Sequence, residues 1–102
     1  MLYEIRRYVC TPGKRAAVLM RFDEVVLPLF ERHAVEIDRF LIDRDDANVF
    51  VYVCAWQDQA EMDATWAAFQ ADPEWVEAKA TSEANEGQTV DRIERSFATA
   101  WR

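Results

Sequence analysis

Residues 49–56 read Val49-Phe50-Val51-Tyr52-Val53-Cys54-Ala55-Trp56, the clearest β-strand pattern in this chain of 102 residues. Successive side chains of a strand point to opposite faces of its sheet. One face here carries three valines and an alanine, and the other carries Phe50, Tyr52, Cys54 and Trp56. Because both faces are largely apolar, we expect this strand to be covered on both sides. Helices of the same chain can cover one side, and a second copy of the chain is the simplest cover for the other.

Two further strands are predicted upstream of it. Val35 to Asp43 is apolar enough for a strand, and the polar turn from Asp43 to Asn48 would join it to residues 49–56 as a β-hairpin. Leu2 to Cys10 is rich in Tyr, Ile and Val, which favour strands. It ends at Thr11-Pro12-Gly13-Lys14, where proline followed by glycine is typical of a type II turn.

A long helix is predicted between the first two strands, from Lys14 to His33. Pro28 lies inside it and should kink or divide the helix, because proline removes one backbone hydrogen bond and clashes with the preceding turn. The apolar face of this helix recurs at spacings of three and four residues, and its members are Val18, Phe22, Val26, Leu29 and His33.

Two helix starts follow residue 56. Asp58 with Glu61 resembles a capping box, and Asp72 with Pro73 combines a capping side chain with a proline at the first helical position. The predicted elements are a helix from Gln59 to Gln70, a short helix from Pro73 to Ser82, a loop at Asn85-Glu86-Gly87 and a final strand within Gln88 to Trp101.

Aromatic residues of these two helices are expected to belong to the core. Trp66 and Phe69 share a helical face with Met62, and a stripe of this kind usually packs inside a protein. For Trp75 two roles remain open, packing on the first helix or roofing a pocket, and we favour packing.

The predicted order is strand, helix, strand, strand, helix, strand. This is the βαββαβ order of ferredoxin-like α+β folds, with a four-stranded antiparallel sheet and helices on one face. A length of 102 residues suits a single domain, which we assign to residues 1–102.

Composition excludes several functions. Acidic residues outnumber basic ones 19 to 12, giving a net charge of −7, so neither a nucleic acid nor an anionic membrane surface is an expected partner. No apolar run is long enough to cross a bilayer. Cys10 and Cys54 form neither a disulfide framework nor a metal-ligand spacing, and we expect a cytoplasmic protein with no metal and no cofactor.

Several short motifs, in order, resemble the NIPSNAP family. They are Tyr3-Glu4-Ile5-Arg6-Arg7-Tyr8, Pro12-Gly13-Lys14, Leu27-Pro28-Leu29, Arg32-His33 and Ala71-Asp72-Pro73-Glu74-Trp75. The resemblance covers nearly the whole chain. It implies a homodimeric α+β barrel, in which two ferredoxin-like sheets pack face to face, as the two-sided apolar strand also suggests.

The resemblance also implies a pocket. Related folds include cofactor-independent monooxygenases, haem-degrading enzymes, chlorite dismutases and isomerases, whose pockets lie between sheet and helices. NIPSNAP members have no firmly assigned chemistry. We therefore expect a homodimer of unassigned activity that binds a small aromatic or anionic molecule. The alternatives are a cofactor-independent monooxygenase or isomerase and a non-catalytic interaction module, and the residues do not decide whether the protein is an enzyme.

Candidate ligand-binding residues lie on the first and third strands. Arg6 would bind a negative charge, Tyr8 and Tyr52 would form hydrogen bonds, and Trp56 would stack on a planar ligand. The alternative is structural: an internal ion pair between Glu4 and Arg6 with aromatic packing around it, or a sheet edge at the dimer interface.

The candidates for proton transfer are His33, Glu4 and Tyr52. Many NIPSNAP members carry His and Trp where this chain has Tyr52 and Cys54, so a role for that histidine does not carry over. His33 is the only histidine and so the only side chain with an ordinary pKa near 7. It can equally be a favourable cation at a helix end, or the axial ligand of a haem.

Overall fold

A computed structural model describes residues 1–102 as a two-layer α+β fold with a four-stranded antiparallel sheet. The strand order is β2-β3-β1-β4 and the helices cover one face, which confirms the ferredoxin-like prediction. The elements are β1 (Leu2–Cys10), α1 (Arg15–Arg21), a π-helical segment (Phe22–Val26), α2 (Leu27–Arg32), β2 (Glu36–Ile42), β3 (Val49–Trp56), α3 (Gln59–Ala71), α4 (Pro73–Glu86) and β4 (Val90–Thr99).

The central strand β1 pairs with β3 on one side and with β4 on the other. Its register places Glu4 opposite Cys54, and Arg6 opposite both Tyr52 and Arg95. Since facing residues share a sheet face, Glu4, Arg6 and Tyr8 of β1 lie on the helix-covered face among aromatic neighbours. This register positions the candidate site.

The turn after β1 forms as predicted. The amide of Lys14 donates to the carbonyl of Thr11 at 2.9 Å, and Gly13 has a φ of +81°. Only glycine adopts such a φ without strain.

The long first helix is divided, as Pro28 predicted, but a π-helical segment makes the division. The segment ends at Val26, and the amide of Leu27 bonds back to the carbonyl of Phe22, five residues earlier. Proline then falls in the first turn of α2, where its missing N–H costs little. Phe22 and Val26 remain buried, and Phe30 joins them in the core.

The two capping predictions hold, but the predicted boundary between the last helix and the loop after it was wrong. Asp58 accepts from the amide of Glu61 at 2.9 Å, and Asp72 accepts from the amide of Glu74 at 2.9 Å. Asn85 and Glu86 are helical rather than part of a loop, because α4 continues past Ser82 until Gly87 ends it at a φ of +71°.

Asp72 also joins the start of α4 to the end of α2. Its carboxylate pairs with Arg32 and lies 2.7 Å from Nε2 of His33. These hydrogen bonds, from His33 first and then Arg32, lower the pKa of Asp72 from an ordinary 3.8 to about 2. A carboxyl with a lowered pKa stabilises the folded state above its unfolded pKa, and that contribution is lost as the pH falls.

We therefore expect Asp72→Asn, which keeps a capping side chain, to melt at a lower temperature than the wild type at pH 7. The gap should close as the pH falls from about 4 to about 2, because the wild-type carboxylate is then protonated too. Thermal unfolding followed by circular dichroism across this pH series measures it. Asp63→Asn, at an exposed position of α3 without an ion pair, is the matched control; a gap that persists unchanged to pH 2 would contradict the prediction.

The two faces of β3 differ in burial. Phe50, Tyr52, Cys54 and Trp56 are fully buried under the helices. On the opposite face Val49 and Ala55, near the ends of the strand, are also buried, but Val51 and Val53 at its centre are only half-buried, and Leu41 of β2 is 55% exposed. The helices of one chain thus cover only one side of the strand.

No helix is both long and apolar enough to cross a lipid bilayer.

Candidate functional site

A buried carboxylate organises the helix-covered face of the sheet. Glu4 has no exposed surface, and its two oxygens accept four hydrogen bonds. Oε1 accepts from the indoles of Trp56 at 3.1 Å and Trp66 at 2.8 Å. Oε2 accepts from Arg6 at 3.0 Å and from Nε of Arg95 at 2.7 Å. We call these five residues the Glu4 cluster.

This cluster keeps Glu4 ionised. Burial alone would raise the pKa of Glu4, but the hydrogen bonds from Trp66 and Arg6 outweigh it, so its pKa lies below the ordinary 4.5. A carboxylate with four donors and a lowered pKa is a poor proton acceptor at neutral pH. Glu4 is therefore placed to hold other residues rather than to move a proton.

Arg6 connects the cluster to two tyrosines. Its Nε donates to the hydroxyl of Tyr52 at 2.9 Å, and its Nη2 lies 3.4 Å from the hydroxyl of Tyr8. The two hydroxyls are 3.1 Å apart. The guanidinium also lies 4.7 Å from the ring centroid of Trp66, within cation–π range. All three guanidinium nitrogens are thus engaged inside the protein.

A cavity of about 660 Å³ lies between the sheet and the helices, beside the Glu4 cluster. Its size falls in the range of natural ligand pockets, and half of its 20 lining residues are hydrophobic. Seven of these carry aromatic rings: Tyr8, Phe22, Phe30, Tyr52, Trp66, Phe69 and Trp75.

The charged residues around the cavity are mostly basic, although the chain as a whole is acidic. Four are cationic and two are anionic. This excess of positive charge favours a ligand with a negative group. The cations are Arg6, Arg21, Lys79 and Arg92, and the anions are Glu83 and Asp91.

The structure brings three of the four predicted ligand-binding residues to this cavity. Arg6, Tyr8 and Tyr52 line it. Trp56 does not, and its assignment as a stacking residue needs correction: it is 1% exposed and its indole is bonded to Glu4. Trp66 takes the place on the cavity wall that was assigned to Trp56.

The three candidate proton-transfer residues are not placed together. Glu4 is enclosed by its donors, and His33 lies outside the cavity lining, with Nε2 held by Asp72. That contact also leaves His33 badly placed as an axial ligand for a group in this cavity. No set of three or more His, Cys, Asp or Glu side chains is arranged to hold a metal ion.

Tyr52 and Cys54 are held in their neutral forms. Burial and the neighbouring Tyr8 raise the pKa of Tyr52 well above its ordinary value of 10, despite the nearby charge of Arg6. Burial, with a contribution from Glu4, raises the pKa of the Cys54 thiol to about 12. At neutral pH, Tyr52 can donate a hydrogen bond but cannot act as a base.

Sequence reasoning missed two groups of lining residues. Trp66 and Phe69 were placed in the core, and they do pack there, but each also forms cavity wall, as does Trp75. Arg21 and the segment from Gly87 to Ile93 were not considered. The one available signal was Trp75, whose second open role, roofing a pocket, agrees with its position.

Comparisons with known proteins identify the family. The NIPSNAP family model matches residues 3–102, and no curated protein matches the chain. The structure is similar to a NIPSNAP family protein of unknown function from Agrobacterium tumefaciens, at 20% identity and a TM-score of 0.84, covering 98% of this chain and 87% of that one.

Two further solved structures extend the likeness in fold. An uncharacterised NIPSNAP domain protein from Burkholderia xenovorans has 21% identity and a TM-score of 0.83, with 98% of this chain and 94% of that one covered. An antibiotic biosynthesis monooxygenase has 18% identity and a TM-score of 0.67, with both chains fully covered. At these identities the structures share the fold alone. From the family match over residues 3–102, the chain belongs to the NIPSNAP family.

Proposed function

We propose that the protein is a homodimer that binds one small aromatic, anionic molecule per chain in the cavity between sheet and helices. The observation that supports this most is the combination of seven aromatic rings with an excess of basic residues around one space of about 660 Å³. Aromatic walls favour a planar ligand, and the basic side chains favour a negative group on it.

Binding explains the site better than acid–base chemistry does. A general base needs a pKa near the working pH and access to the ligand. Glu4 is enclosed and ionised, Tyr52 stays protonated, and His33 is bonded to Asp72 outside the cavity.

A cofactor-independent monooxygenase or isomerase is the second candidate function. The likeness in fold to an antibiotic biosynthesis monooxygenase favours it. In such an activity the Tyr52 and Tyr8 hydroxyls would orient a substrate oxygen, with the charge of Arg6 behind them. Turnover of a phenolic substrate that is lost in Tyr52→Phe, while binding is kept, would support this function over simple binding.

The binding proposal predicts that filling the cavity abolishes binding. Val90 lines the cavity and is half-buried, so Val90→Trp should occupy the space without rebuilding the core. We expect the dissociation constant of the fluorescent anion 8-anilinonaphthalene-1-sulfonate to rise at least tenfold. Val76→Trp, at an exposed position on α4, is the matched control. Equal binding by both variants, or no saturable binding by the wild type, would contradict the proposal.

We also propose that the second copy packs on the uncovered sheet face. The half-buried Ile5, Val51 and Val53 form its centre. The buried, unpaired Cys10 and Cys54 support a reducing compartment, and we propose the cytoplasm.

A further inference from the structure

We infer that the ligand is an aromatic carboxylic acid whose carboxylate binds between Arg21 and Trp75, at the helical wall of the cavity, and not at Arg6. The inference rests on the proposed function, since it names the ligand class and orientation for the same cavity. From the sequence, Arg21 was not considered, and Trp75 was considered only as a packing residue or as the roof of a pocket. The position of the carboxylate is inferred from two hydrogen-bond donors that have no partner in the protein.

Only two buried side-chain polar atoms in the whole chain lack a hydrogen-bond partner: Nε of Arg21 and Nε1 of Trp75. Both residues line the 660 Å³ cavity. Buried donors are nearly always paired in folded proteins, because an unpaired one has lost its bonds to water without replacement. Two unpaired donors on residues that line one cavity therefore indicate an acceptor that reaches both when it binds, after a small movement of the side chains that now cover them.

The side chains that carry these two donors are neighbours. The guanidinium carbon of Arg21 lies 5.8 Å from the ring centroid of Trp75. Nη1 of Arg21 donates to the hydroxyl of Ser82 at 2.8 Å, which anchors the guanidinium to α4. A carboxylate has two oxygens and can accept from both N–H groups at once.

Charge distinguishes Arg21 from Arg6. Arg6 is paired with Glu4 at 3.0 Å and also donates to Tyr52. Arg21 has no carboxylate within salt-bridge distance, so no ion pair offsets its charge. An anionic ligand therefore has a more favourable electrostatic interaction with Arg21 than with a guanidinium that is already paired with a carboxylate.

The surroundings favour one negative charge and a planar body. Lys79 lies on the same cavity wall, but Glu83 and Asp91 also line the cavity and would repel a dianion. The ring centroid of Phe69 lies 5.0 Å from that of Trp75, so the two rings form a continuous aromatic surface. Arg21 also borders a smaller cavity of about 350 Å³, which has no aromatic wall and does not reach Trp75.

Calorimetry with two probes of equal shape tests the inference. We expect 2-naphthoate to bind the wild type at least tenfold more tightly than 2-naphthamide, because the amide is neutral and offers only one acceptor oxygen. Arg21→Lys, which keeps a charge but loses Nε, and Trp75→Phe, which loses only the indole N–H, should each reduce that preference at least tenfold. Arg44→Met, which removes an arginine at the exposed hairpin between β2 and β3, should leave it unchanged.

A spectroscopic measurement on the wild type keeps the test independent of variant folding. In an 15N-correlated spectrum, the indole N–H signal that is missing in Trp75→Phe should move downfield with 2-naphthoate and not with 2-naphthamide. Equal affinity for the two probes, or no movement of the Trp75 signal on saturation with the acid, would overturn the inference while leaving the cavity as a binding site. Failure of both probes to bind would overturn the proposed function as well.

Discussion

Glu4→Gln is expected to lower the free energy of unfolding by about 3–5 kcal/mol, the cost of leaving a buried charge without its partner. The carboxylate is fully buried and offsets the charges of Arg6 and Arg95. Glutamine has nearly the same shape but no charge, and its amide nitrogen would face donors in place of an oxygen. Urea unfolding should show a lower midpoint with an unchanged slope.

A double-mutant cycle identifies the source of this loss. Arg6→Met removes the cation, so Glu4→Gln in that background should cost less than it does alone, with a coupling energy of about 0.5–3 kcal/mol. Asp45→Asn is the surface control: Asp45 pairs with Arg44 at the exposed hairpin between β2 and β3, where a salt bridge contributes about 0–1 kcal/mol. A loss in Glu4→Gln no larger than that of Asp45→Asn would show that the cluster does not depend on the carboxylate charge.

Ile5→Asp is expected to convert the proposed homodimer to monomers. Ile5 lies opposite Val53 on the uncovered sheet face, and an unpaired carboxylate at the centre of an interface is costly to bury. The chain measures 41 × 35 × 18 Å, a slab of two layers. It exposes 6541 Å², against about 6,000 Å² for a compact monomer of its mass. Both quantities fit a sheet with one face left for a partner.

Light scattering at micromolar concentration measures this outcome. The wild type should have about twice the mass of one chain, which is 11.9 kDa, and Ile5→Asp should have the mass of a single chain. Ile42→Asp is the matched control, because Ile42 is a strand residue on the other face and is 59% exposed. A monomeric wild type, or a variant that remains dimeric, would contradict the proposed interface.

The parts of the fold that depend on local chemistry could be predicted from the sequence. The alternation of residues 49–56 fixed the bounds of β3, and the side chains of Asp58 and Asp72 marked two helix starts. The end of α4 was harder, because Asn85 favours a loop by local preference, yet Gly87 is the residue that stops the helix. The π-helical segment has no local signature apart from the nearby Pro28.

Only part of the candidate site could be predicted from the sequence, and the reason is physical. Alternation along the strands assigns Arg6, Tyr8 and Tyr52 to one face of the sheet. It does not say how deeply a side chain is buried or whether it reaches the cavity. Trp56 and Trp66 both bond to Glu4, yet only Trp66 reaches the cavity, and that difference depends on how α3 packs. Arg21 was invisible to sequence reasoning because an arginine on a helix usually faces solvent, and its unpaired Nε appears only in three dimensions.

The position of β1 between β3 and β4 has a consequence for synthesis of the protein. Of the four strands, β1 is made first, and β4, its partner along one edge, is made last. Until residues 90–99 emerge, that edge stays open and Glu4 lacks the guanidinium of Arg95. Pairing strands so distant in the chain is slow, and an open strand edge invites association with other chains. In the nascent chain, closing the sheet and adding the last donor to its buried carboxylate are therefore one late event.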